Sequence, residues 1–169
     1  RPEARIQGFT VQPMVPRSHA HELIVGMTED PQFGPVMLFG HGGTAVEVID
    51  DKALALPPLN MRLAREMMDR TRIIRLLEGY RGMPAADLDA IALTLVKVSQ
   101  LACDMAEVVE LDINPLLAGA HGVMALDARI RVRPSGRPAA ERLAIRPYPK
   151  ELEEAVILPN GQKLLLRPI

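Results

Sequence analysis

Within the run Glu110-Leu111-Asp112-Ile113-Asn114-Pro115, every second residue through Asn114 carries a side-chain oxygen. In an extended strand alternate residues share a face. Glu110, Asp112 and Asn114 therefore point one way, and Leu111 and Ile113 point to a core. Downstream, Ala125-Leu126-Asp127-Ala128-Arg129 repeats the alternation. The stretch between them, Gly119-Ala120-His121-Gly122, reads as a turn. Pairing Gly119 with Gly122 and counting back along an antiparallel ladder sets Asn114 opposite Asp127, with Asp112 diagonal to that pair. Cross-strand partners hold their Cβ atoms about 4.5–5.5 Å apart. Three hard oxygen donors then converge on one patch. That set suits Mg²⁺, which takes one or two protein groups and completes its octahedron with phosphate and water. No His/Cys pattern for zinc accompanies it. The competing reading is the solvated face of a half-exposed sheet, and a one-residue slip would turn every donor over.

A second candidate is Gly40-His41-Gly42-Gly43, between two apolar runs. Glycines let backbone N–H groups approach a phosphate or form an anion nest. The spacing fits neither the Walker nor the dinucleotide pattern, and a plain hairpin turn explains it equally. Arg81, between Gly79 and Gly82, is an anion-binding guanidinium or a surface loop residue. His41 could contact a phosphate or, as a loop histidine with no visible partner, simply be exposed; His19, His21 and His121 acquire no role from the sequence.

The elements that must position these groups follow from periodicity. Residues 9–15, 22–28, 36–39, 44–49, 53–56, 108–114 and 122–132 read as strands. Asn60 caps an expected helix over 61–69, a short helix covers 72–77, and Asp87 caps the longest helix, to about residue 106. Leu88, Ile91, Leu95, Val98, Leu101 and Met105 give that helix its apolar stripe. The expected fold class is α+β (α/β), a mostly antiparallel sheet flanked by helices. From Arg133 the composition shifts: residues 134–154, with Pro134, Ser135, Gly136, Pro138 and Pro147-Tyr148-Pro149, read as a linker. Residues 155–169 read as a hairpin turning at Asn160-Gly161.

Composition narrows the function classes. The 169 residues are 48% hydrophobic and 24% charged, with a net charge of −1. That suits a folded domain and argues against a nucleic-acid or anionic-membrane partner. Aromatics make up 3%, too few for a base-stacking platform. The single Cys103 reads as a small core residue and fits a reducing, cytoplasmic setting. No apolar run reaches the length of a membrane span. The chain opens at Arg1 and ends in Leu164-Leu165-Leu166-Arg167-Pro168-Ile169, so both ends read as cuts in a longer parent.

The order of blocks carries a family likeness. Gly8-Phe9-Thr10-Val11-Gln12-Pro13-Met14-Val15, Glu22-Leu23-Ile24-Val25-Gly26, Asp30-Pro31 through Phe33-Gly34-Pro35, and Phe39-Gly40 with Gly42-Gly43 form its first part. Glu47, Asp51, the Asp112-Ile113-Asn114-Pro115 element and Leu126-Asp127-Ala128-Arg129 continue it. Together they resemble the second half of an ATP-grasp domain of the ADP-forming acetyl-CoA synthetases, over about residues 6–132. The resemblance implies ATP or ADP and Mg²⁺ as cofactors, with CoA or acetyl-CoA in the parent protein. It implies that Asn114 and Asp127 hold the metal and that Asp112 stands where an acidic residue flanks a phosphohistidine relay. Val11, Gln12, Pro13 and Met14 would meet adenine, Glu22 would face the nucleotide cleft, and Gly42 and Gly43 would lie along the phosphates. The implied partners are the first ATP-grasp subdomain and the CoA-ligase domains, absent from this sequence, so the isolated chain is expected to be inactive. The tail, from Arg146-Pro147-Tyr148-Pro149 on, resembles the start of a GNAT acetyltransferase domain, as in bacterial lysine acetyltransferases fused to a synthetase-like region. That leaves a ligand-sensing, regulatory role as the alternative to a ligase. The tail hairpin could also be exchanged between copies, giving a homo-oligomer.

Overall fold

The computed structural model describes residues 3, 5, 7–9, 11, 13–15, 20–43, 50–146 and 152–167. Gln12, the strand expected at 44–49 with Glu47, and Pro147-Tyr148-Pro149 lie outside those residues.

Strands β1 (His21–Asp30) and β2 (Gly34–His41) form a hairpin. Its turn is fixed by the Asp30 carboxylate, which accepts the N–H groups of Gln32 and Phe33 at 2.8 and 2.9 Å, an Asx arrangement that imitates a backbone turn. Strand β3 (Lys52–Ala55) lies outside β2. Three helices follow: α1 (Met61–Asp69), α2 (Ile74–Leu77) and α3 (Leu88–Asp104). Asn60 and Asp87 cap α1 and α3 as expected, accepting from the N–H groups of Leu63 and Ala90 at 2.9 Å each. Strand β4 (Val108–Gly119) then pairs β1 on one edge, and β5 (Gly122–Ala125) and β6 (Ala128–Val132) on the other. The sheet order is β3-β2-β1-β4-β5, with β6 also on β4, and every pairing is antiparallel. The expected α+β architecture is what forms.

One face of the sheet carries the core. Leu23, Val25 and Met27 of β1, Met37 and Phe39 of β2 and Leu111 and Leu116 of β4 are buried with Ala64, Met67 and Met68 of α1 and Ile91, Leu95 and Val98 of α3. The inward set on β4 changes parity, from Leu111 and Ile113 to Leu116 and Ala118. The cause is a bulge against β1: Leu23 faces Leu116 but Val25 faces Ile113, so β4 has one extra residue there. Pro115 sits at that bulge, where a strand tolerates a residue with no N–H to donate.

Four expectations change. The described residues of 9–15 form no strand, and Val11 and Met14 are 94% and 93% exposed; β1 already has a neighbour on each edge, so no ladder position is left beside it. The strand expected over 122–132 is two strands, broken at Leu126-Asp127 where Pro115 cannot return a hydrogen bond. The stretch read as a linker contains a docked 3₁₀ turn, Ala139–Arg142. The Arg142 guanidinium donates to the carbonyls of Ala102, Met105, Ala106 and Val108 at 2.7–3.3 Å, closing the C-terminal end of α3, and Leu143 is buried beside it. Cys103 is half-buried, not fully in the core. Burial pushes its thiol upward, Asp104 adds to this, and Arg142 opposes it. Beyond the turn, β7 (Glu154–Ile157) and β8 (Lys163–Leu166) make a separate two-stranded sheet, the hairpin expected around Asn160-Gly161.

Candidate functional site

The β4–β5–β6 register is the one the turn chemistry predicts. Gly119 pairs with Gly122, and the same count continues to Leu116 opposite Ala125. Past the break, Ile113 faces Ala128, Asp112 faces Arg129 and Glu110 faces Arg131. At the break the Asn114 N–H donates to the Asp127 carbonyl at 3.3 Å, and the Leu126 N–H donates to the Pro115 carbonyl at 3.1 Å. Asn114 and Asp127 are therefore direct opposites. The face turned from the core carries Glu110, Asp112 and Asn114 on one strand and Arg131, Arg129 and Asp127 on its partner.

Charge on this face is nearly balanced. Arg131 bonds the Glu110 carboxylate at 2.6 Å, and Arg129 lies 3.5 Å from that of Asp127. Asp112 differs. Burial raises its carboxyl above the ordinary range, Arg129 across the ladder pulls it back, and Asp127 and Glu110 push it up again. A carboxylate disfavoured in this way gains from an added cation. On β1 its opposite is Gly26, which puts no side chain of its own beside it. Among the described residues no three His, Cys, Asp or Glu side chains gather as a metal cluster. The candidate donor set is instead one amide and one or two carboxylates, which suits a magnesium ion that brings its own phosphate ligands.

The glycine loop joins the same patch. The Gly42 N–H donates to the Glu22 carbonyl at 2.8 Å, and the Gly43 N–H donates to Asn114 Oδ1 at 3.0 Å, across 71 positions of sequence. The loop is thus no simple hairpin turn; it presses onto β1. A Cβ at Gly42 would stand 2.3 Å from the Leu23 carbonyl carbon, and one at Gly43 would stand 2.2 Å from Glu22 Oε2. Gly43 also has φ +81°, which glycine adopts without strain. Glu22, Gly42, Gly43, Asn114, Asp127 and Asp112 form one contiguous patch.

Among the described residues no backbone hydrogen bond joins Val11, Pro13 or Met14 to it. The segment reaches the sheet at Val15, which with Leu117, Val123 and Met124 lines an apolar cleft of about 490 Å³. Arg81 lies 5.2 Å over the Tyr80 ring, in an exposed loop. Sequence reasoning missed two parts of the site. Arg129 as the counter-charge to Asp112 was readable from the same register count. The contact between Gly43 and Asn114 had no local signal.

An antiparallel sheet with helices on one face and, on the other, a glycine loop beside an acidic hairpin belongs to a known class. The family model described as "ATP-grasp domain" matches residues 1–132, and the chain belongs to that family. More particularly, it is similar to ADP-forming acyl-CoA ligases. It is 46% identical over 129 residues to acetate–CoA ligase (ADP-forming) I of Archaeoglobus fulgidus, covering 76% of this chain and 18% of that one. It is 38% identical over 130 residues to the β subunit of acetate–CoA ligase (ADP-forming) I of Pyrococcus furiosus, covering 77% and 55%. Among solved structures, a Candidatus Korarchaeum cryptofilum acetyl-coenzyme A synthetase in complex with coenzyme A and Mg-AMPPCP superposes with a TM-score of 0.65 at 38% identity, over 67% of this chain and 53% of that one. A Pyrococcus horikoshii protein superposes with a TM-score of 0.71 at 38% identity, over 80% and 57%. The chain thus spans from about a fifth to just over half the length of these relatives. Among the described residues no helix is long and apolar enough to cross a membrane.

Proposed function

We propose that this chain is the Mg-nucleotide-binding half of the ATP-grasp unit in an ADP-forming acyl-CoA ligase. The observation that carries the reading is the hydrogen bond from Gly43 N–H to Asn114 Oδ1, which fastens the glycine loop to the metal-ligand candidates. In this reading Asn114 and Asp127 hold magnesium, Glu22 faces the nucleotide, and Gly42 and Gly43 run along the phosphates. Asp112 lies next to the transferring phosphoryl. The apolar cleft at Val15, Leu117 and Met124 accommodates the adenine base, with residues 11–14 closing over it. Bound magnesium supplies charge neutralisation on the triphosphate. The side chains named here position and do not transfer protons. Among the described residues nothing supplies the opposite wall of the cleft, so in this reading the catalytic unit requires the first ATP-grasp subdomain and the CoA-ligase domains. The setting is cytoplasmic.

One observation favours a second reading. The polypeptide after the ATP-grasp match docks on α3 through Arg142 and then forms its own hairpin. If that hairpin begins a GNAT acetyltransferase domain, the nucleotide half acts as a sensor that regulates lysine acetylation. ATP-dependent acyl-CoA formation by the parent separates the two readings.

The test is calorimetric titration of Mg-ATP. The 169-residue chain alone should bind too weakly to measure; micromolar affinity would show that the missing wall is dispensable. Joined to the first subdomain, Asp127→Ala should lose about tenfold in affinity or more, with an unchanged circular dichroism spectrum. Equal affinity of variant and parent would refute the metal assignment.

A further inference from the structure

Two histidines lie directly behind the glycine loop and have no part in the reading above. His21 precedes Glu22 on β1, and His41 precedes Gly42 on β2. Strand alternation puts both imidazoles on the core face, while Glu22 and the glycines belong to the nucleotide face. Leu23 is the ladder partner of His41, so His21 is its diagonal neighbour on that face. His21 Nε2 and His41 Nδ1 are both buried and have no hydrogen-bond partner among the described residues. A neutral ring tolerates one unpartnered nitrogen. A protonated ring carries N–H on both nitrogens, so the buried nitrogen of a half-buried ring becomes a donor with no acceptor and part of the charge loses its solvation.

We infer that the His21–His41 pair is a proton-operated catch: with both rings neutral it holds Gly42 and Gly43 against β1, and a proton on His21 releases them. The inference rests on the nucleotide-binding reading, because what is released is the Gly43 donor to Asn114.

Among the described residues, the surrounding charges have partners of their own or are exposed. On β1 the adjacent Glu22 faces the other way. Behind β2, Asp51 is engaged with Arg72 and with the Arg72 and Ile73 N–H groups, and Asp50 pairs with Lys52. On β4, Ala118 stands opposite His21, and Asp87 nearby caps α3. On the helices packed behind, Asp89 pairs with Arg65, and Lys97 is exposed. Arg75 and Glu78, on and just after α2, are exposed, and so is His121 in the β4–β5 turn. Burial, and then His41, lower the His21 value. The unfolded chain therefore takes up a proton at higher pH than the fold does. The contribution to stability is full above the ordinary histidine value of 6.5 and is lost as pH falls below it toward the lowered native value.

The experiment is amide hydrogen exchange by NMR on the 169-residue chain without nucleotide, between pH 7.5 and 5.0, corrected for intrinsic exchange. Protection of the Gly42 and Gly43 N–H groups should fall about tenfold across that range, while Val25 and Met27 keep theirs. In His21→Gln/His41→Gln the drop should vanish. Should the double variant fold poorly, His21→Gln alone must shrink the drop. A flat profile in the parent chain, or an unaltered drop in the variants, overturns the catch. Because no nucleotide is present, that result leaves the nucleotide reading standing. Absent Mg-ATP binding by the assembled protein at pH 7.5 would sink that reading and leave the catch in place.

Discussion

Two hairpins of this chain have equally clear turn signals and very different surroundings. In the first, β4 returns through Gly119–Gly122 into β5 and β6, and behind it Leu111, Leu116 and Ala118 are buried against the helices. In the second, β7 returns through Asn160-Gly161 into β8, and Ile157, Leu164, Leu165 and Leu166 remain 45–67% exposed. Turn chemistry sets pairing in both. Only in the first does burial of one face commit the other, so only there do Asp112, Asn114 and Asp127 have a fixed aim. A hairpin becomes a scaffold for chemistry when a core decides its faces.

The most severe way to break this contrast is to cut the same atoms from each hairpin. Leu111→Ala should cost about 2–5 kcal/mol in urea unfolding followed by circular dichroism. Leu165→Ala should stay within about 0.5 kcal/mol. Similar losses at both positions would mean that the second hairpin has a buried face after all.

The next largest effect lies between the two hairpins. Arg142 closes four carbonyls at the end of α3 and in the turn into β4, and it anchors Leu143. Arg142→Ala should cost about 2 kcal/mol, since its charge-assisted bonds to the carbonyls at the helix end are lost together. Arg142→Lys should recover little, because an ammonium cannot span that fork of acceptors. Limited proteolysis should then cut within 134–146 in both variants. Resistance equal to that of the parent chain would show that the docked turn is held by other contacts.

The sequence made the first hairpin legible because its evidence is local: a glycine turn, strict alternation, and an offset that survives the break at Leu126-Asp127. The helix caps at Asn60 and Asp87 were legible for the same reason. Three features were not. The bulge that switches β4 from Ile113 to Leu116 depends on β1, a neighbour far back in the sequence. The Gly43 bond to Asn114 joins two segments that no pattern relates. The Arg142 clamp hides in a stretch whose Pro, Ser and Gly content resembles a free linker, because composition reports local flexibility and not a guanidinium's distant acceptors.

The smallest predicted effect concerns the electrostatics of the first hairpin alone. Burial and two neighbouring carboxylates raise Asp112 above its ordinary value near 3.8, and Arg129 only partly offsets them. The fold therefore keeps that proton to a higher pH than the unfolded chain does, and folding binds protons in the window between the two values. Stability from this group is complete below about pH 3.8 and lost as pH rises through the raised native value. Asp112→Asn removes the titration and keeps the shape. At pH 7 and low salt the variant should melt about 1–2 °C higher than the parent chain, and the gap should close as pH falls toward 4. The sign discriminates between two pictures of the ladder. Were the Asp112–Arg129 pairing the stronger influence, the carboxylate would be favoured by the fold, and the variant would melt lower at pH 7. A higher melting temperature instead marks Asp112 as a charge placed at a cost to the fold, as expected of a residue whose compensating cation arrives with a ligand.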